Sequence, residues 1–518
     1  MNETIVKHLN FGKDAKETIF KGIEKLTKAV SSTLGASGKC VILEDSVGNP
    51  QITKDGVTVA DSIILLDPVE NMGAKLLKEA ARKTVKEAGD GTTTATVLAH
   101  AILTEAYKFL ERDTHRAIKE GIDKSVNAVI AYLEKTSTKV TGKSIEQVAS
   151  ISANNDKKLG AVIAEAFKAV DETGIVMMET HDLPETTVEV VDGAQYDKGF
   201  QNAHFITNQE RGIAELENAV VLLVENKIES IRQIQGVLEY VIKKNKSLLV
   251  IADMEPTVLS ALAMNKVKGN IKINVIAAPV YGVNKLNTLK DLSLITGATI
   301  INEDLGDDMD LINEEHLGSC LKAVSTSVET IIQRDYFSED IEDILKDLKN
   351  QIKETKNPQV VAQLEKRLAR LAGKVAIVKV GASSEVELKE KKDRVEDAIC
   401  ATKAAIKEGI VPGGGIALLD ASRVITPKSI GEEVLLNAIQ APYEIILENA
   451  GISDYEKPTV KGRGLNVVTG KTVNMVKSGI VDPLLVTKSA LKNAASVATT
   501  ILSTDCVINN LRANESGR

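Results

Sequence analysis

With 518 residues, 43% of them hydrophobic and 26% charged, the chain is long enough for about three domains, each burying a core of its own. Lys and Arg at 64 against Asp and Glu at 72 leave a net charge of −8 with no long run of either sign, which argues against nucleic acid or an anionic membrane as the main partner. Aromatic residues make up 3% with no Trp, so base-stacking surfaces are not expected; Cys40, Cys320, Cys400 and Cys506 form no CxxC pair and predict the reduced thiols of a cytoplasmic protein.

The first residues mix charges with isolated apolar side chains and lack a hydrophobic signal core, and no run is apolar enough to span a membrane, so the protein is expected to stay where it is made. An amphipathic helix over Asp14–Val30, striped by Ile19, Phe20, Ile23, Leu26 and Val30, runs into Thr33-Leu34-Gly35-Ala36-Ser37-Gly38, which reads as a C-cap or as a phosphate loop. A short strand, Cys40–Leu43, follows. Ile52–Val57 then reads as a hairpin or turn that presents Lys54 and Asp55 side by side.

Two helical patterns come next, one through Val69, Met72, Leu76, Leu77 and Ala80, the other through Val97, Leu98, Ala101 and Ile102. Between them Ala88-Gly89-Asp90-Gly91-Thr92-Thr93-Thr94 makes a Gly-Asp-Gly turn that opens into a helix N-terminus. Unpaired N–H groups and the positive dipole end suit phosphate there, the glycines allow close approach, and Asp90 is a hard oxygen ligand suited to Mg²⁺. An ordinary Asp-Gly turn with a Thr cap is the plain alternative.

A helix over 115–133 and a polar connector mark a first domain boundary, followed by a helical segment over 144–170 and strands at 174–178 and 186–191. From Val220 to Ile301 strands and helices alternate at short spacing, the signature of an α/β layer with a mostly parallel sheet; no GxGxxG follows the first strand, so a dinucleotide site is not indicated. Residues 339–371 read as two helices separated near Pro358, and Ala376–Val380 as a strand. The helix Glu385–Lys407 carries Arg394, Glu396 and Asp397, a charge density that by itself describes a solvated face. Gly409–Gly415 is a second phosphate-compatible loop, and the rest reads as helical, with loops at Leu465–Val468 and Ile480–Pro483.

In combination, TLGxxG at 33–38, ITKDGVTVA at 52–60, ENMGAKLLKE at 70–79, AGDGTTTATVLA at 88–99, ISAN at 151–154, KVGASSEVELKEKKDRVEDA at 379–398, GGG at 413–415 and DP at 482–483 resemble the group I chaperonins, ring-forming foldases, over nearly the whole chain. The resemblance implies a multidomain fold: a mainly α-helical equatorial ATPase domain (1–135 and 409–518), a small α+β intermediate domain (136–191 and 376–408) and an α/β apical domain (192–375). It implies ATP and Mg²⁺ as cofactors, with K⁺ as a further candidate. Thr33, Leu34 and Gly35 would line the phosphate loop, Gly91, Thr92, Thr93 and Thr94 would hold phosphates, and Asp90 the metal. Lys54, Asp55 and Gly56 would lie near the γ-phosphate, Ile151, Gly414, Asn466, Ile480 and Asp482 around the nucleotide, and Asp397 would activate the attacking water, with Asp55 as its catalytic companion.

The same resemblance implies capture of non-native polypeptides, and of a lid cochaperonin, at Phe200, His204, Phe205, Gln235, Leu238, Leu259, Ala263 and Met264, with self-assembly into a ring of about seven subunits. For Leu238 and Leu259 simple core packing is the alternative. Gly193 and Gly373 are plausible hinges flanking the insertion. Several positions depart from the family pattern: polar His204 and Gln235, Lys374 beside Gly373, Ala36-Ser37 in the first loop, and an end at Arg518 without Gly-Gly-Met repeats. Segments 111–115, 420–433 and 451–464 are short, which leads us to expect weakened contact between rings. An ATP-driven foldase is the leading expectation; a ring-forming holdase with little turnover and a small-molecule phosphotransferase are the alternatives.

Overall fold

The computed structural model describes residues 7–510 apart from 45–47, 141, 171–174, 182, 197, 210, 279–282, 304–305, 334–343, 349, 352–363, 365–366, 369–370 and 372. Gly174, Pro358 and most of the expected helix pair over 339–371 therefore lie outside the described residues. The chain forms two compact units, one of Met1–Glu165, Met178–Thr187 and Lys379–Arg518, the other of Ala166–Met177 and Val188–Val378.

The first unit is built on helices. Gly12–Ser31, Pro68–Ala88, Thr92–Tyr107, His115–Thr136 and Leu484–Leu502 pack their apolar stripes into one core, in which Ile23, Leu26, Leu77, Leu98, Ile102, Ile122 and Leu491 are buried. Both ends of the chain meet there, as Lys7–Phe11 pairs antiparallel with Cys506–Asn510. Asp67 caps the Pro68–Ala88 helix by accepting from Val69 and Glu70, and Gly89 closes it in the left-handed region. The turn expected at Ile52–Val57 divides differently: Pro50–Thr53 pairs with Val41–Glu44, and Gly56–Ser62 is a helix. Near the C-terminus the expected loops hold two small antiparallel pairs, Ile410–Pro412 with Val481–Pro483 and Arg463–Asn466 with Lys471–Asn474, the last strand lying where helix is expected.

The second unit holds a sheet in the order Thr187–Tyr196, Thr330–Gln333, Gly318–Ser325, Ala214–Val224, Ser247–Ile251 and Lys272–Ile276. Over Val220–Ile301 its strands pair parallel, as the sequence predicts, and the strands outside that stretch make the sheet as a whole mixed. Gly318–Ser325 and Thr330–Gln333, joined by a tight turn, pair antiparallel, as do their outer neighbours. The parallel pairs are those whose connections contain the helices Gln235–Lys244 and Pro256–Val267, because a parallel crossover needs that length of chain. Both faces are covered: Leu222, Leu248 and Val250 pack with Val237, Val241 and Leu262, while Val221, Leu223, Leu249 and Ile251 pack with Leu292 and Ile295. Burial on both faces explains why these strands read as unbroken apolar runs.

Candidate functional site

A cavity of about 940 Å³ opens in the first unit. Its floor is the N-terminus of the helix Thr92–Tyr107, whose N-cap is Gly91 at φ +92° with no side-chain hydrogen bond to the first turn, so those backbone N–H groups face no capping oxygen. A Cβ on Gly91 would lie 2.7 Å from Val486 Cγ1, so position 91 is restricted by space as well as by φ. Asp55 sits at the head of the Gly56–Ser62 helix and accepts from Val57 N (3.1 Å), Thr58 N (2.8 Å) and Thr58 Oγ1 (2.6 Å). That cap fixes Lys54 and Asp55 on the wall, and Gly56 lets the turn approach the threonines: a Cβ there would lie 2.3 Å from Thr93 Oγ1.

The loop after the first helix is held from two sides. Thr33 Oγ1 donates to Val30 O (2.8 Å) and meets Thr93 Oγ1 at 3.4 Å. Asn449 Nδ2 donates to Ser31 O (2.8 Å) and Leu34 O (2.9 Å). Opposite, Asp482 accepts from the backbone N–H groups of Gly414 and Gly415, joining the two C-terminal loops. Tyr443, Ile446, Met475 and Ile480 supply apolar wall, and Asn466 accepts from Val468 N (3.0 Å) to shape its own turn.

Five aspartates line this space, Asp55, Asp90, Asp393, Asp397 and Asp482, together with Glu146 and Glu390. Burial and neighbouring charge hold Asp90, Asp393, Asp397 and Asp482 back from ionising. Asp397 is raised well above the carboxylate range by burial, then by Asp90 and Asp55. Asp482 is pushed up to about 7, mainly by burial and by Asp90 against the opposing Gly414 and Gly415 bonds; Asp393 goes to about 6 through burial and Asp55. Asp90 is raised by burial and Asp55, against the Gly91 N–H. Behind them the Cys400 thiol is pushed up to about 12 by burial and the neighbouring acids, which leaves it unreactive.

Such a set of hard oxygen donors, four of them destabilised while ionised, fits a divalent cation that arrives with phosphate. Among the described residues no group of three or more His, Cys, Asp or Glu forms a ready-made metal site.

All the residues expected around a nucleotide line this one cavity: Thr33, Leu34, Gly35, Lys54, Asp55, Gly56, Asp90, Gly91, Thr92, Thr93, Thr94, Ile151, Asp397, Gly414, Asn466, Ile480 and Asp482. Sequence reasoning missed Glu390, Asp393 and Arg394, which line it too. Their spacing to Asp397, three residues for Arg394, four for Asp393 and seven for Glu390, was the available signal. It also missed Asn449, Tyr443 and Ile446, for which an apolar helix gives none.

In the second unit the eight expected capture residues do not form one exposed surface. Phe205 and Ala263 are buried in the core, a correction for both, because their helical segments pack those side chains against the sheet. Phe200, Leu238 and Leu259 are half-buried against the same core, so the packing alternative accounts for much of Leu238 and Leu259. His204, Gln235 and Met264 are exposed, and Ile231, Ile242 and Val267 add exposed apolar area that the sequence did not single out.

A helical unit with a phosphate cradle drawn from both ends of the chain, interrupted by an α/β unit, is the chaperonin fold. Residues 26–512 match the TCP-1/cpn60 chaperonin family, and the chain belongs to it. Its structure is similar to that of the chaperonin gp146 from the bacteriophage EL 2 (Pseudomonas aeruginosa) in presence of ATP-BeFx: in crystal form II the TM-score is 0.72 at 22% identity, over 99% of this chain and 100% of that one. Crystal form I of the same protein gives a TM-score of 0.65 at 22% identity, over 97% and 99%. Among the described residues no helix is long and apolar enough to cross a membrane.

Proposed function

We propose that this protein is an ATP-driven foldase of the group I type, acting in the cytoplasm on non-native polypeptides. Support comes above all from one observation: loops from distant parts of the sequence bring a capless helix N-terminus, a glycine turn and five aspartates around a single cavity. Phosphates would lie on the N–H groups of Thr92–Thr94 and between Thr33 and Gly56, with the base and ribose towards Ile480, Asn466, Gly414 and Asp482. Bound Mg²⁺, held through Asp90, would supply charge neutralisation for phosphoryl transfer. Asp397 would orient water and take its proton, and its raised basicity suits that task. Lys54 would balance charge near the terminal phosphate.

The proposed division is an equatorial domain over 1–135 and 409–518, an intermediate domain over 136–191 and 376–408, and an apical domain over 192–375. Apical capture would use the exposed Met264 together with Ile231, Ile242 and Val267, whose burial against an apolar client is non-directional and therefore tolerant of sequence. We propose self-assembly into a ring and engagement of a lid cochaperonin on the same apical surface. The test is steady-state ATP hydrolysis by wild type and Asp397→Ala: loss of about 100-fold or more in kcat with nucleotide binding retained is expected. Equal, negligible rates in both would replace this reading with a holdase.

A further inference from the structure

The helix Glu385–Glu408 turns more than one charged side chain towards the cavity. Glu390, Arg394 and Asp397 follow one another at the spacing that aligns side chains on one face, and all three line the wall. Arg394 pairs with Glu390 through Nη2, within one turn of its own helix. Its Nε is buried and has no hydrogen-bond partner. The guanidinium is thus half satisfied: one edge rests on a carboxylate, a second donor is unused, and the side chain lines a cavity that Asp55, Asp90, Asp393 and Asp397 line too. A planar fork of donors is the group that matches phosphate in two-point geometry, and it stays charged however buried it is.

We propose that Arg394 is a catalytic residue of the hydrolysis site, its guanidinium exchanging Glu390 for the terminal phosphate of a bound nucleoside triphosphate. This rests on the ATPase reading above. Seven carboxylates repel a polyphosphate, and among the described lining residues the other cations are Lys54 and Lys157. In the transfer, the water oxygen bonds to the γ-phosphorus while the bond from that phosphorus to the bridging oxygen breaks, its electron pair leaving with ADP. The proton of water passes to Asp397, and negative charge grows on the bridging oxygen, where the guanidinium neutralises it. Arg394 and Asp397 share one helix, so a single placement of that helix supplies both base and cation. Glu390 is a positioning residue that holds the guanidinium when no triphosphate is there.

The experiment compares wild type, Arg394→Ala, Arg394→Lys, Glu390→Gln and Asp397→Ala for kcat, KM, and calorimetric affinity for ADP and for ADP with beryllium fluoride. Arg394→Ala should lower kcat by about 100-fold and erase most of the preference for the fluoride complex while ADP affinity changes less than about threefold; Arg394→Lys should recover part of kcat. Glu390→Gln should lower KM, because the guanidinium no longer has to leave a carboxylate. A kcat and fluoride preference within threefold of wild type in Arg394→Ala would overturn the assignment even if Asp397→Ala abolishes turnover. Equal loss of both affinities together with a collapsed melting transition would also overturn it, marking Arg394 as structural. If wild type binds triphosphate analogues but hydrolyses nothing, loss of the fluoride preference in Arg394→Ala still upholds the phosphate contact while the ATPase reading fails.

Discussion

At the scale of single residues the site depends on atoms that are missing and charges that are crowded. Gly56 lies at the first turn of its helix with ordinary φ, so alanine there is acceptable to the backbone. Its Cβ, however, would meet Thr93 Oγ1 at 2.3 Å and Thr92 Oγ1 at 2.9 Å, in the cradle itself. Gly56→Ala should therefore weaken ATP binding by about tenfold or more while shifting stability by no more than about 1 kcal/mol. Calorimetry beside a thermal melt checks this; unchanged affinity would remove Gly56 from the cradle. The crowded charges predict a pH dependence. Asp482 at about 7 and Asp393 at about 6 are both raised above the unfolded value of 3.8, so the folded chain binds protons that the unfolded chain has released. Their stabilising share is complete below pH 3.8 and is lost as pH rises through 6 and 7. A cation in the cavity needs the ionised acids, so the stabilisation conferred by Mg²⁺ with ADP should grow from pH 5.5 to pH 7.5, roughly the window these two groups span. Melting curves at the two pH values, with and without ligand, measure it; a ligand-induced shift independent of pH would show that these acids do not take part.

At the scale of elements the cradle is assembled by short fastenings between helices that bear no phosphate contact themselves. Asn449 ends the helix Ala441–Asn449 and donates to Ser31 O and Leu34 O, one carbonyl in the last residue of the first helix and one in the loop that follows it. Asn449→Ala should cost about 1–2 kcal/mol of stability and raise KM for ATP more than it lowers kcat, because the Thr33–Gly35 loop loosens without moving Asp397. A kcat loss with unchanged KM would contradict that account. Asn449 also marks the limit of what the residues could say beforehand. The Gly-Asp-Gly turn and the glycine loop at 413–415 were legible because backbone chemistry is written in glycine and threonine. Asn449 lies at the end of an apolar helix and reaches a loop more than 400 positions away, so no local pattern records it. Gly56–Ser62 was hidden for another reason: Val57 and Val59 alternate like a strand, and only the bonds that Asp55 accepts decide for helix. The strands Gly318–Ser325 and Thr330–Gln333 escaped notice since Lys322 breaks the apolar run of the first and the second is only 4 residues long. Phe205 and Ala263 show the converse, because apolar character does not distinguish a core contact from a capture surface.

At the scale of the whole molecule, apolar side chains on the first unit need cover. Leu66 is 97% exposed, Ile64 78%, Ile42 70% and Phe11 60%, and Ile52 shares the hairpin with Ile42. Isolated exposed leucines need no explanation, but a hairpin with opposed isoleucines and a connector bearing Ile64 and Leu66 form the kind of area that subunit contacts bury. Native mass spectrometry should therefore find multiples of 55.6 kDa. Double replacement Ile42→Asp with Ile52→Asp should shift that mass to monomer while the circular dichroism and melting of the first unit persist, since these side chains are exposed within the subunit. The short segments at 111–115, 420–433 and 451–464 sharpen the expectation: if contact between rings is weak, ATP should halve the assembled mass and ADP should allow it to recover. The two effects are separable. The hairpin substitutions remove the ring itself, whereas nucleotide would act only on the pairing of rings. A mass that is unchanged in every nucleotide state would leave the ring reading intact and exclude the separable pair. A wild-type monomer under all conditions would instead mean that Ile42, Ile64 and Leu66 are covered by something other than a second copy of this chain.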